Sequence, residues 1–106
     1  MSSVAVMTEP LRRVVLTGAG GLIGRAILPL LPADWDVLGT DLETTTDIAT
    51  LDVTDPDACH QVFAGADAVV HPAASWERLL PANVVGAYHV AQAAADCGVR
   101  RLVLAS

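Results

Sequence analysis

A chain of 106 residues, 53% hydrophobic and 17% charged, is long enough for one globular domain and too apolar to be disordered. Its net charge of −6 would repel a nucleic-acid backbone, so no nucleic-acid partner is expected. No apolar run reaches the roughly 18 residues that a membrane-spanning helix needs, and no signal-peptide pattern opens the chain. These features predict a cytoplasmic protein with no membrane partner.

The first half of the chain begins with residues 1–11, which we expect to form a disordered tail. A β-branched, apolar run then predicts a strand over 13–17, buried on both faces. Apolar residues at helical spacing predict a helix over 22–31, which two prolines should end or bend early. Two more short apolar runs predict strands over 36–40 and around 49–53.

The second half continues the alternation of helices and strands. Asp55 followed by proline is typical of a helix start, and it predicts a helix over 56–63 that a glycine closes. A strand over 68–71 follows. A long apolar segment predicts a helix over 80–97, with a glycine as its stop, and the last strand is predicted over 101–105. Strands that alternate with helices predict a parallel sheet wound by right-handed crossovers.

A glycine turn lies between the first strand and the first helix. Gly18, Gly21 and Gly24 follow a G-x-x-G-x-x-G spacing, which lets the backbone approach a diphosphate at a helix N-terminus. The alternative is a plain tight turn. The related G-x-G-x-x-G pattern begins at Gly18 and Gly20 but fails at Ile23. The triphosphate-binding loop needs a lysine, and this chain has none, which excludes triphosphate hydrolysis.

Two acidic residues reinforce the nucleotide interpretation. Asp41 ends the second strand about 20 residues after the turn, where a carboxylate accepts hydrogen bonds from the adenosine ribose. A carboxylate there would repel a 2′-phosphate, so NAD is favoured over NADP. Asp52 follows the third strand and is expected at the adenine edge. The alternative for both is an exposed acid in a loop.

Five segments, in the correct order, resemble the extended short-chain dehydrogenases/reductases, also called NAD-dependent epimerases/dehydratases. Residues 73–83 are in addition similar to uronate dehydrogenases. The five segments are a T-G-x-x-G-x-x-G turn at 17–24, a D-x-x-D motif at 52–55, a strand ending in H-x-A-A at 68–74, an N-V-x-G helix at 83–88 and a strand at 101–106.

The resemblance implies an α/β fold, a Rossmann-type parallel sheet of order 3-2-1-4-5 with helices on both faces. Residues 12–106 would form the N-terminal part of an NAD(P)-binding Rossmann domain, truncated after the fifth strand. The residues expected to contact NAD are Gly18, Gly21, Leu22, Ile23, Asp41, Asp52, Val53, Ala73, Ala74 and Asn83.

Catalysis in this family relies on a Tyr-x-x-x-Lys pair, which a chain without lysine does not contain. Tyr88 is not that tyrosine, because position 92 is glutamine, and packing in the core or in a groove is its expected role. No catalytic residue and no metal ligand is therefore predicted, and the chain is expected to be inactive alone. A complete enzyme would act on a nucleotide-sugar or a sugar-acid small molecule.

Two other interpretations stay open. One is a non-catalytic NAD-binding or redox-sensing module, and the other is a gene remnant without function. The two cysteines share no ligand spacing and are expected to be reduced thiols. Because truncation would expose the last strand, we expect marginal stability or a homodimer formed through residues 101–105.

Overall fold

A parallel sheet of five strands forms the centre of the molecule, in the order β3-β2-β1-β4-β5. The structure, a computed structural model, describes residues 12–43, 47–72 and 85–104. The predicted strand order is confirmed. The strands are β1 (Arg13–Thr17), β2 (Asp36–Asp41), β3 (Ile48–Thr50), β4 (Ala68–His71) and β5 (Arg101–Leu104).

Among the described residues, three helices connect these strands. The helix predicted over 22–31 ends at Ile27 and continues as a 3-10 turn, because Pro29 has no N–H to donate to the preceding helical turn. The helix predicted over 80–97 is described from Gly86, and residues 80–84 lie outside the described part of the chain. The helices are α1 (Leu22–Ile27, followed by the 3-10 turn Leu28–Leu30), α2 (Pro56–Phe63) and α3 (Gly86–Asp96).

Local signals determine where α2 begins and where both α2 and α3 end. The Asp55 carboxylate accepts the N–H groups of Asp57 and Ala58, at 3.1 and 3.2 Å, and so caps α2. Gly65 and Gly98 follow α2 and α3 with φ of 78° and 71°, a conformation that favours glycine. The predicted cap and both predicted stops are confirmed.

The third strand is shorter than predicted. It spans Ile48–Thr50 rather than 49–53, because Asp52 begins a turn. The Asp52 carboxylate accepts both the N–H of Thr54, at 2.9 Å, and its hydroxyl, at 2.6 Å. Such a side-chain bond to the backbone competes with a strand, and it leaves Val53 in the turn.

The main core lies between the sheet and the pair α2 and α3. Val15 and Val69, from the two central strands, are completely buried there. Leu51, Cys59, Phe63, Ala66, Val90, Ala93 and Ala94 complete this cluster. Val14 and Leu16 are also completely buried and point to the opposite face of β1. Right-handed crossovers put α1 on that face, so helices cover both faces of the sheet.

Cys59 and Cys97 are both free thiols. Burial, followed by the neighbouring carboxylates of Asp55 and Asp52, raises the pKa of Cys59 to about 11. A thiol that stays protonated at neutral pH is a weak nucleophile, so Cys59 acts as a small core residue.

In the described part of the chain, no helix is long and apolar enough to span a membrane.

The outer strand β5 carries exposed apolar side chains. Val103 and Leu104 are 56% and 45% exposed. An apolar strand at a sheet edge is able to pair with another chain. A homodimer through residues 101–105 stays a prediction, and residue 105 lies outside the described part.

Asp67 joins three strands at the edge of the sheet opposite the glycine turn. Its carboxylate accepts the N–H groups of Arg12 and Arg13, both at 3.0 Å, and its carbonyl accepts the N–H of Arg100, at 2.9 Å. The N–H groups of Arg13 and Arg12, followed by the Arg100 charge, lower the pKa of Asp67. The ionised carboxylate is therefore the form that stabilises the fold.

Protonation of Asp67 should lower the stability of the fold in acid. The folded pKa lies below the unfolded value, so the stabilisation is present above pH about 3.9 and is lost as the pH falls through the folded pKa. We expect Asp67→Asn to reduce the melting temperature by several degrees at pH 7 and to flatten its fall between pH 5 and pH 3. Thermal unfolding against pH, with the exposed Asp34→Asn as the matched control, measures both. A parallel loss in wild type and variant would contradict the assignment.

Candidate nucleotide-binding site

The glycine turn begins directly after β1 and is tied to β2. Gly18 has a φ of 63°, which a residue with a Cβ rarely adopts. Its carbonyl accepts the N–H of Gly21 at 3.0 Å, and the N–H of Ala19 donates to the Thr40 carbonyl at 2.9 Å. These two bonds close the turn and hold it against the end of the second strand.

The other two glycines of the motif allow close approach of the backbone. A Cβ on Gly24 would lie 2.1 Å from the carbonyl oxygen of Gly18 and 2.8 Å from the Cα of Ala19. The helix therefore packs directly on the turn, as the spacing predicts. A Cβ on Gly21 would lie 3.3 Å from the same carbonyl, so the backbone there is less crowded.

The first turn of α1 opens from this bend. Gly21 is the N-cap residue and offers no side chain to accept helical N–H groups. The side chains of Leu22 and Ile23 are 89% and 52% exposed. A helix N-terminus without a side-chain cap carries N–H donors that suit an anion. The bend and the first helical turn thus fit a diphosphate.

Asp41 lies at the same turn, although 21 positions separate it from Gly20. Its Oδ2 accepts the N–H of Gly20 at 2.9 Å, and its Oδ1 accepts the N–H of Leu42 at 2.7 Å. The carboxylate is half-buried and held from both sides. A ribose at the turn would meet this carboxylate at a defined position, so the geometry fits the predicted contact with adenosine.

Gly20 is a functional candidate that the sequence interpretation did not include among the site residues. Its N–H orients Asp41, and a Cβ at this position would lie 2.9 Å from the Asp41 Oδ2. The failed G-x-G-x-x-G pattern contained this glycine. Only the folded chain gives the reason for it, which is contact with a carboxylate from the next strand.

Asp52 and Val53 follow β3 at the same edge of the sheet. The N–H of Leu51 donates to the carbonyl of Asp41 at 2.7 Å, which keeps the two loops adjacent. The Asp52 carboxylate is bound by Thr54, and the partly buried Val53 packs against the core. Both therefore have a structural role, and contact with adenine stays a prediction for them.

A buried hydrogen bond crosses from β1 to β4 beside the turn. The Thr17 Oγ1 lies 2.5 Å from the Nδ1 of His71, and the two residues are 1% and 3% exposed. Burial lowers the pKa of His71 and so favours its neutral form. The sequence interpretation noted both residues in motifs but assigned them no contact.

Three of the cofactor contacts predicted from the sequence have no described position in the structure. Ala73, Ala74 and Asn83, three predicted cofactor contacts, lie outside the described residues. Tyr88 was expected to pack in the core or in a groove. It lies on α3 and is 64% exposed, so packing in the core is wrong, and packing in a groove stays a prediction. Within residues 12–43, 47–72 and 85–104, no group of three His, Cys, Asp or Glu side chains could hold a metal ion.

The strand order and the position of the glycine turn together define a class of protein. In a parallel sheet of order 3-2-1-4-5, successive strands are added on one side of β1 and then, from β4, on the other side. In such sheets this switch point opens a crevice at the carboxyl ends of the strands. The glycine turn and Asp41 lie at this edge. The chain has a fold of the Rossmann type, a class in which nucleotides bind at this edge of the sheet.

Comparison with known proteins agrees with this class. Residues 14–106 match the NAD dependent epimerase/dehydratase family. The chain belongs to this family. An L-arabinose 1-dehydrogenase (NAD(P)(+)) of Haloferax volcanii is 39% identical over 89% of the chain, and a uronate dehydrogenase of Pseudomonas putida is 31% identical over 93%. The resemblance to the family and to uronate dehydrogenases is confirmed.

Solved structures show the same fold. A mutant uronate dehydrogenase from Agrobacterium tumefaciens, complexed with NAD, matches 92% of the chain with a TM-score of 0.75 and 28% identity. The chain spans 41% of that structure, and 40% and 42% of the two relatives above. These relatives are dehydrogenases considerably longer than the sequence analysed.

Proposed function

We propose that this chain binds the adenosine diphosphate part of NAD and serves as the nucleotide-binding half of an NAD-dependent dehydrogenase, epimerase or dehydratase that acts on a sugar or sugar acid. The bond from the Gly20 N–H to the Asp41 carboxylate carries the proposal. It joins the glycine turn that follows β1 to the carboxylate that ends β2, and these are the two groups proposed to bind the diphosphate and the ribose. Membership of the family supports the same interpretation.

The choice of NAD over NADP rests on the same carboxylate. Two backbone N–H groups hold Asp41, so the carboxylate cannot rotate away from a 2′-phosphate without breaking both bonds. A negative charge at that position repels the phosphate. The name of the Haloferax relative admits both cofactors, so the selectivity of this chain needs its own measurement.

The chemistry of hydride and proton transfer is proposed to lie with residues other than those of this chain. The 106 residues include no lysine, and Tyr88 is not followed by one four positions later. The chain therefore contributes cofactor binding, and the choice of substrate depends on other residues. Sugar acids are the proposed substrate class, because several relatives are named as uronate dehydrogenases.

Calorimetric titration of the full chain with NAD, NADP and ADP-ribose tests this function. We expect similar affinities for NAD and ADP-ribose, because the proposed contacts involve only the adenosine diphosphate end. NADP should bind at least about tenfold more weakly, the effect of about 1.4 kcal/mol of repulsion. Equal binding of NAD and NADP would contradict the role of Asp41. No binding of any of the three would overturn the proposal as a whole.

A further inference from the structure

The hydrogen bond between Thr17 and His71 lies where the order of the described strands reverses direction, between β1 and β4. Thr17 ends β1 and His71 ends β4, and these two strands flank the switch point. A dinucleotide lies across this crevice, with its two halves on opposite sides. The bond thus joins the strand that carries the glycine turn to the strand on the other side.

The bond extends the pairing of the two strands by one step. The ladder between β1 and β4 ends with Leu16 opposite Val70, which leaves Thr17 and His71 at the next level. The following residue, Pro72, is buried and has no N–H. Because a proline cannot donate to a ladder, β4 has no backbone donor at Pro72, and the side-chain bond between Thr17 and His71 links the two strand ends there.

The position of Thr17 affects the glycine turn directly. Gly18 follows it, and the Gly18 carbonyl both accepts the N–H of Gly21 and forms the surface on which Gly24 packs. A shift at the end of β1 would therefore move the whole turn. A shift at the end of β4 would move His71 and Pro72, which lie on the other side of the switch point.

We propose that the Thr17–His71 pair is a positioning pair, which sets the distance between the glycine turn and the end of β4 so that both halves of a dinucleotide are held together. This inference rests on the proposed binding of NAD. Neither residue needs to touch the cofactor. The two side chains are almost completely buried, and burial lowers the pKa of His71, which agrees with a neutral pair inside the fold.

Titration of the full chain with NAD and with ADP tests the pair. ADP needs only the turn and Asp41, whereas NAD spans the crevice, so loss of the pair should weaken NAD and spare ADP. We expect Thr17→Val to reduce the ratio of NAD to ADP affinity by about five- to tenfold, as for loss of one buried hydrogen bond. Thr17→Ser and His71→Asn keep a bonding partner and should retain the ratio of the wild type.

Thr40→Val is the matched control. Thr40 is also completely buried, pairs with Thr17 in the sheet and donates its hydroxyl to the Leu16 carbonyl at 3.3 Å, but it makes no link to β4. It should lower the melting temperature without changing the affinity ratio. If Thr17→Val fails to fold, the same ratio is measured for His71→Leu and His71→Asn. The leucine variant should have the lower ratio of NAD to ADP affinity, because it loses the bond to Thr17.

The outcomes separate this inference from the proposed function. A wild-type chain that binds both ligands, with a Thr17→Val variant whose ratio matches that of Thr40→Val, would overturn the positioning role and leave NAD binding intact. A wild-type chain that binds neither NAD nor ADP would overturn both. A lower ratio in Thr17→Val, restored in Thr17→Ser, would support the pair.

Discussion

Replacement of Asp41 by serine is expected to weaken NAD binding by about ten- to a hundredfold, the effect of losing a hydrogen bond to a charged group, about 1.5–3 kcal/mol. The same change removes the charge that would repel a 2′-phosphate, so the preference for NAD over NADP should disappear. Loss of the acceptor for the Gly20 N–H would also loosen the turn, which adds to the effect on both cofactors.

A second variant separates charge from geometry. Asp41→Asn retains an oxygen that can accept the N–H of Gly20 but carries no charge. It should relieve the repulsion of NADP while the turn keeps its shape. Asp34→Ser, an exposed acid ahead of β2, is the control for the change in net charge. Calorimetric titration with both cofactors measures these effects, and unchanged selectivity in Asp41→Asn would show that the carboxylate does not select the ribose.

Replacement of Gly24 by alanine is expected to be the most disruptive single methyl addition in the turn. The new Cβ would lie 2.1 Å from the carbonyl oxygen of Gly18, and both atoms belong to rigid backbone or are attached to it. Alanine gains about 1 kcal/mol of helix propensity over glycine, but the overlap forces α1 away from the turn. We expect a net loss of about 3 kcal/mol in the free energy of unfolding.

Gly21→Ala is the matched comparison, because its Cβ would approach the same carbonyl only to 3.3 Å. That variant should fold with a small loss of stability but bind NAD more weakly, since the methyl group would lie where the diphosphate is proposed to bind. Urea unfolding and NAD titration of both variants distinguish the two roles. Equal stability of Gly24→Ala and wild type would mean that α1 does not pack on the turn as described.

Much of the fold follows from signals that act over a few residues. The β-branched run of β1, the Asp55 cap of α2 and the glycines that end α2 and α3 are all local, so the sequence alone located them correctly. Alternating strands and helices predicted the parallel sheet, and the resemblance to the family implied the order of its strands, which the structure confirms. The glycine spacing and Asp41 together indicated a nucleotide.

Local signals failed where a side chain competed with the regular structure. The apolar run around 49–53 predicted a longer strand, but the Asp52 carboxylate binds Thr54 and ends β3 at Thr50. Tyr88 was expected to pack in the core or in a groove, and the first of these was wrong for a different reason. Its helix spacing did not distinguish the buried face of α3 from the exposed one, and the residue lies on the latter.

The sequence by itself determined the family, and with the family the order of the strands. It also determined the position of the glycine turn at residues 18–24. All of these depend on residue types at fixed spacings along the chain. Only the tertiary structure decided which side chains meet. Gly20 reaches Asp41 over 21 positions and Thr17 reaches His71 over 54, since the C-terminal ends of parallel strands converge at one edge of the sheet. Hydrogen bonds between such distant residues leave no periodic trace in a sequence, and they are the contacts that shape this crevice.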